Sequence, residues 1–301
     1  NSHMKTLLVI GSPSHCDWEK VFKGRTLFPG TSQEETISVV YGTWDELYLI
    51  SYPDSGLQVT LSPKGVSGGG AASGSGRQRV TCNVDMVLFR SVVHATSRLD
   101  ASAKFMAIMH SGVPCINSAL STYCLLQRPV MYAGLKSLQH KMDFPLVEQT
   151  YYPDPFGIMC PPPVPFVVKI GNNHAAVGKA LVKDTAQMQD IVSLLKVTDK
   201  YVQMEPYIQW HGDYRVQKIG GRYRAYRRDT LGWKANDSAG EVEEVEVTPS
   251  FREWVDGAAS LFGGLDICAL DILHRRVRVG GKGEREEGDA PSYGDIRARG
   301  A

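Results

Sequence analysis

Two lysines carry the clearest chemical signal in this chain. Lys169 lies in the apolar run Phe166-Val-Val-Lys-Ile170, and Lys179 opens the run Lys179-Ala-Leu-Val182. Between them lies Gly171-Asn-Asn-His-Ala-Ala-Val-Gly178. If the two runs fold as a hairpin, both ammonium groups can approach one polyphosphate, and loop amides can close over it. A buried lysine without a partner is costly, which favours an anionic ligand. The competing outcome is that each lysine reaches solvent or pairs with a carboxylate. A Walker loop is excluded, because its glycines enclose four residues and its lysine precedes Ser or Thr. Here the intervening stretch is longer and Ala180 follows the lysine. The first strand is followed by Gly11-Ser-Pro13, so the dinucleotide fingerprint G-x-G-x-x-G is missing as well.

A second segment could hold a purine. Met204-Glu-Pro-Tyr-Ile-Gln209 runs towards Asp213-Tyr-Arg-Val-Gln-Lys218. A strand leaving its sheet exposes backbone N–H and C=O groups to a base edge, and a carboxylate there can accept ribose hydroxyls. The bland alternative is a strand end with solvated charges.

These residues need elements to position them. Leu7-Leu-Val-Ile10, Ile37–Tyr41, Leu47–Tyr52, Val84–Arg90 and Val113–Ile116 read as strands, and 101–111 as a helix stopped by Gly112. Strand, helix, strand is the unit of a parallel sheet covered by helices, so the first half is α/β. Residues 62–79 hold six glycines and four serines and read as a mobile surface loop. Asn117-Ser118 caps a helix through Leu126, and Pro129 starts another that runs to about His140. The stretch 144–152 is strand-like. Six prolines between Pro153 and Pro165 make a stiff connector. Asp184 caps a helix bearing Met188, Ile191 and Leu195; Tyr214–Ile219, Gly220-Gly221 and Tyr223–Tyr226 form a β-hairpin; Thr248-Pro249 opens a helix stopped at Gly263-Gly264. Leu265–Leu273 is the last strand. The expected organisation is an α/β sub-domain over 5–118, a second sub-domain over 119–273, and a charged, glycine-rich, solvated tail over 274–301.

Composition limits the function classes. A net charge of +1, from 33 Lys+Arg and 32 Asp+Glu, argues against a nucleic-acid binder. No apolar run approaches the ~20 residues needed to span a bilayer. No signal peptide is expected, and Asn1–His3 are expected to be foreign to the natural chain. The six cysteines form no C-x-x-C pair or zinc spacing, so buried free thiols in a reducing compartment are expected.

Several stretches together resemble the central domain of the synapsins, an ATP-grasp-like fold. They include Leu7-Leu-Val-Ile10 with Asp17-Trp18; Val167-Val-Lys169 with Gly178-Lys179; Glu205-Pro with Ile208; Tyr214-Arg-Val-Gln-Lys-Ile-Gly220; and Phe262-Gly-Gly-Leu-Asp-Ile-Cys-Ala269. The resemblance runs from about Lys5 to Leu273. It implies a pre-ATP-grasp-like parallel-sheet sub-domain followed by an ATP-grasp-like one. It also implies that Lys169, Gly178 and Lys179 meet the phosphates of ATP, and that Glu205, Tyr207, Ile208 and Asp213 meet the adenosine. Arg128 stands at the position of a phosphate-binding lysine. Asp271, one methylene shorter than the family's Glu, and Glu284 stand where the family holds Ca²⁺ or Mg²⁺ on the phosphates. This sequence departs from the family at Ala175-Ala-Val177 and lacks the late Ser-Ser-Met-Pro-Leu-Ile-Gly stretch.

The resemblance further implies a cytoplasmic regulatory protein, peripheral on synaptic vesicles of the presynaptic terminal. Its implied partners are the vesicle membrane, actin and further copies of itself, as a homodimer or larger homo-oligomer. It would tether vesicles and regulate neurotransmitter release, with ATP as ligand. The alternatives are an ATP-grasp carboxylate–amine ligase and a family member with impaired nucleotide binding.

Overall fold

The computed structural model describes residues 4–11, 16–27, 29–31, 34–62, 79–91, 101–172, 177–198, 200–228, 241–275 and 296–300. They divide into two compact units, 1–122 and 123–301.

The first unit contains β1 (Met4–Ile10), α1 (Trp18–Phe22), β2 (Thr26–Leu27), β3 (Glu35–Gly42), β4 (Leu47–Tyr52), β5 (Gly56–Leu61), β6 (Val80–Val84), β7 (Met86–Phe89), α2 (Ser102–Ser111) and β8 (Cys115–Ile116); α3 (Ala119–Leu126) crosses into the second. One sheet has the order β2-β3-β1-β7-β8, with β1 parallel to both neighbours and β7 parallel to β8. Leu7, Leu8, Val9 and Ile10 are all buried, as a central parallel strand covered on both faces requires. Strands β4, β5 and β6 form a separate antiparallel sheet.

The single strand expected over 84–90 is broken at Asp85. Its carboxylate accepts the Thr6 N–H at 2.8 Å and the Lys5 ammonium at 3.2 Å, while its own N–H donates to the Thr6 carbonyl at 3.0 Å. These bonds turn the chain from β6, in one sheet, into β7, in the other. The expected surface loop over 62–79 lies almost wholly outside the described residues.

The second unit contains α4 (Arg128–Leu138), β9 (Thr150–Tyr152), β10 (Phe166–Ile170), β11 (Lys179–Val182), α5 (Thr185–Leu195), β12 (Val202–Pro206), β13 (Trp210–Ile219), β14 (Arg222–Arg228), β15 (Val242–Val245), α6 (Pro249–Ala259), β16 (Ile267–Arg275) and β17 (Ile296–Gly300). It has two antiparallel sheets, β11-β10-β12-β9 and β15-β14-β13-β16-β17. Residues 296–300, within the stretch expected to be a solvated tail, run as a strand beside β16.

Each sheet buries one face under helices. Asp184 caps α5 by accepting the Gln187 N–H at 2.8 Å, and α5 sets Met188 and Leu195 against Phe166, Val168, Val182, Val202 and Met204. Thr248 caps α6 through the Phe251 N–H at 3.1 Å. Phe251, Trp254 and Val255 of α6, with Leu135 and Leu138 of α4, cover Val216, Ala225, Leu270 and Ile272. Each buried Val, Leu, Ile, Phe or Met among them contributes about 1.5–3 kcal/mol by leaving water.

The strand expected over 144–152 shortens to β9. Side chains satisfy the backbone that a ladder would have used: Trp254 Nε1 donates to the Asp143 carbonyl at 2.7 Å, and Gln139 Nε2 to that of Phe144 at 3.0 Å. All six cysteines are free thiols, but only Cys268 is buried, where burial raises its pKa to about 11.

On the helix side of the second sheet, Asp256 of α6 accepts the Lys218 ammonium at 2.6 Å and the Tyr223 hydroxyl at 2.7 Å. Burial works to raise the Asp256 carboxyl, but these bonds outweigh it and hold the group below its ordinary 3.8. A depressed carboxyl stabilises the fold above its unfolded pKa, and that stability disappears as pH falls through the folded value. Asp256→Asn should therefore cost under about 1 kcal/mol at pH 7, because the pair is part-exposed. It should also flatten the acid limb of the urea-unfolding stability curve below about pH 4. An unchanged acid limb would remove Asp256 from the pH response.

Candidate functional site

Alternation along the strands separates core from chemistry. In β10, Phe166 and Val168 enter the α5 core, so Val167 and Lys169 face the other way. Lys169 stands opposite Lys179 of β11 on one side and Gln203 of β12 on the other. One face of this sheet thus carries Lys169, Lys179, Gln203 and Glu205.

The two lysines differ in surroundings. Lys169 is buried and ion-pairs with Glu205 Oε2, whose side chain is 1% exposed. Gln149 Nε2 donates to the same oxygen at 2.9 Å, and Gln149 Oε1 accepts Gln203 Nε2 at 3.2 Å. Lys169 therefore has a carboxylate partner inside the protein, and its burial alone does not call for an external anion. Lys179 is only half-buried.

Glycine is needed at both described ends of the connection between these lysines. Gly171 has φ 52° and Gly178 φ 67°, a region that a Cβ disfavours. The Ile170 N–H donates to the Gly178 carbonyl at 2.9 Å, closing the hairpin, and the Gly171 N–H donates to Tyr201 at 2.9 Å.

Arg128 is brought to this same end of β10. Its backbone N–H donates to Asn172 Oδ1 at 3.1 Å. The Tyr201 hydroxyl donates to the same oxygen, and Asn172 Nδ2 donates to Gln127 Oε1 at 2.6 Å. Burial pushes the Tyr201 phenol up to about 12, against an opposing pull from Arg128, so it stays a donor at neutral pH.

Tyr207 and Ile208 lie in the connection from β12 to β13. The Tyr207 N–H donates to the Pro165 carbonyl at 3.0 Å, its ring meets Trp210 edge-on at 5.9 Å, and Ile208 is buried.

Asp213 and Asp271 gather in the second sheet, on the face away from α6. Arg228 Nη2 donates to Asp213 Oδ1 at 2.6 Å and to Asp271 Oδ1 at 3.0 Å; Arg215 Nη1 also donates to Asp271 Oδ1 at 3.0 Å. Burial would lower the Arg228 pKa, but the two carboxylates outweigh it and raise it. A divalent ion needs six or more oxygens around it. Arg228 bridges these two carboxylates, and no three His, Cys, Asp or Glu side chains among the described residues gather to hold a metal. Glu284 lies outside the described residues. The described residues therefore do not fit a metal cage of the protein's own.

Gln203 and Arg215 were readable in principle, since each lies two residues from a named carboxylate on the same strand face. Asn172, Gln149 and Arg228 act across the fold and carry no local signal.

With this geometry in view, the relatives fall into place. Among solved structures, the chain is similar to the ATP-grasp ligase PsnB complexed with minimal precursor (TM-score 0.57, 14% identity, covering 98% of this chain and 89% of that one). It is also similar to a RimK domain ATP-grasp protein from Sphaerobacter thermophilus (TM-score 0.56, 15% identity, 98% and 90%) and to the VanG D-Ala:D-Ser ligase from Enterococcus faecalis (TM-score 0.55, 10% identity, 91% and 87%). The fold is thus of the ATP-grasp class.

The family model described as "Synapsin, ATP binding domain" matches residues 117–282. Synapsin of Drosophila melanogaster is 31% identical over 278 residues, which is 89% of this chain and 26% of that protein. The chain belongs to the synapsin family, and it spans about a quarter of the length of this relative.

Proposed function

We propose that this chain binds ATP as a regulatory ligand on the polar face of the β11-β10-β12-β9 sheet. The observation that carries this is the direct register of Lys169 with Lys179 on that face, with Gly178 closing the hairpin. Lys179 and Arg128 would meet the phosphates, with Lys169 held between Glu205 and the nucleotide. The purine would rest along Tyr207 and Ile208, where the chain leaves β12 and offers backbone groups. Asp213, on the following strand β13, would accept the ribose hydroxyls. Any Mg²⁺ or Ca²⁺ would come with the nucleotide, held on its phosphates.

At the level of the whole protein, family membership supports a vesicle-associated role at the presynaptic terminal. Such a protein would tether vesicles to actin and regulate neurotransmitter release as a homodimer or larger homo-oligomer. Among the described residues no helix is long and apolar enough to cross a membrane.

Titration calorimetry with ATP, in Mg²⁺, Ca²⁺ and EDTA, tests the proposal, with nucleotide recovered and identified afterwards. Saturable one-site binding with ATP intact is expected, and ATP at a hundred times its Kd should stabilise the fold by about 2.7 kcal/mol. The absence of both binding heat and thermal stabilisation in every buffer would overturn it. ADP release only when a carboxylic acid and an amine are added would make the protein a ligase instead.

A further inference from the structure

Helix α4 lacks a cap of its own. Gln127 stands at its N-cap position, yet its side chain makes no capping bond. The first helical N–H groups have no partner within a helix. Pro129 has no N–H, and the Met131 N–H is the first to close a turn, on the Gln127 carbonyl at 2.9 Å. The Arg128 N–H is instead taken up by Asn172, 44 residues away and two residues past the end of β10. The other polar atoms of Asn172 are engaged too. Its Oδ1 also accepts the Tyr201 hydroxyl, and its Nδ2 holds Gln127 Oε1, so the amide orientation is fixed by three partners of the correct sense.

We infer that Asn172 is a positioning residue for the nucleotide site: it caps α4 from a distance and thereby fixes Arg128 at the phosphate end of β10. The inference rests on ATP binding at this sheet, and it assigns Asn172 no contact with the ligand. Asn172 works through Arg128, because the same Oδ1 that follows the Lys169 strand holds the Arg128 backbone. Tyr201 braces that oxygen from β12's side of the hairpin, where the Gly171 N–H is bound to the Tyr201 carbonyl.

The test uses the full chain with MgATP as the probe. Asn172→Ala should weaken ATP about five- to twentyfold, and Arg128→Met by a similar factor. The double variant should be no weaker than Arg128→Met alone, because a residue acting only through Arg128 has nothing left to position. In nucleotide-free protein, amide hydrogen exchange at Arg128 should accelerate at least tenfold in Asn172→Ala. Asn172→Asp keeps the acceptor oxygen and should restore that protection. Losses that multiply in the double variant would overturn the inference, as would unchanged ATP affinity in Asn172→Ala. Should the parent chain bind no ATP, the proposed function fails by itself. Unaltered exchange at Arg128 would separately show that Asn172 is no anchor.

Discussion

Replacing Lys169 with methionine should destabilise the fold by about 3–5 kcal/mol and abolish measurable ATP binding. The large stability effect follows from what stays behind. Glu205 is 1% exposed, and its carboxylate is held by the Lys169 ammonium and by Gln149. Removing one partner of a buried ion pair leaves an uncompensated charge, which costs far more than the pair contributes while intact. The double variant Lys169→Met/Glu205→Leu should recover most of the stability, because both charges leave together. It should recover no ATP binding, since the amine is still missing. Urea unfolding alongside calorimetry on both variants separates the two roles. A single-variant loss below about 1 kcal/mol would mean that water reaches Glu205. ATP binding retained by the double variant would remove Lys169 from the site.

A comparable loss, again about 3–5 kcal/mol, is expected for Arg228→Leu. Its guanidinium reaches two carboxylates at once, Asp213 at 2.6 Å and Asp271 at 3.0 Å, whose side chains are 1% and 5% exposed. Arg215 still serves Asp271 in the variant, whereas Asp213 loses the guanidinium that it holds at 2.6 Å. Arg228→Lys should recover less than half of the loss: one nitrogen, Nη2, makes both contacts, but an ammonium is more strongly hydrated than a guanidinium and costs more to bury between the two acids. Chemical unfolding of the two variants measures this. Full recovery by lysine would show that charge alone matters at this position.

Much of the fold was open to sequence reasoning where local chemistry decides. The capping residues Asp184 and Thr248, the helices they start and the Gly220-Gly221 hairpin follow from local residue types. So does the pairing of Lys169 with Lys179, because a short connection bounded by glycines leaves few other folds. What escaped is non-local. Asp85 breaks a strand by binding Thr6, 79 residues away. Phe144 and Val147 are apolar enough for a strand, but side chains from α6 and from the end of α4 take up their neighbourhood's backbone groups. The partner of Lys169 is 36 residues further on, so sequence inspection left open whether the amine meets a carboxylate, solvent or a ligand. Glu205, expected beside the adenosine, is bound to that amine.

Strand β10 places Val168 under a helix and Lys169 on the opposite side, within consecutive residues. Gain or loss of a single codon between Phe166 and Val168 would invert every later side chain in the strand, thrusting the amine into the apolar layer under α5 and the valine out onto the polar face. This stretch can therefore diverge by exchange of residues but not by change of length. Loops that join the strands have no such constraint, and length variation among homologues should collect there.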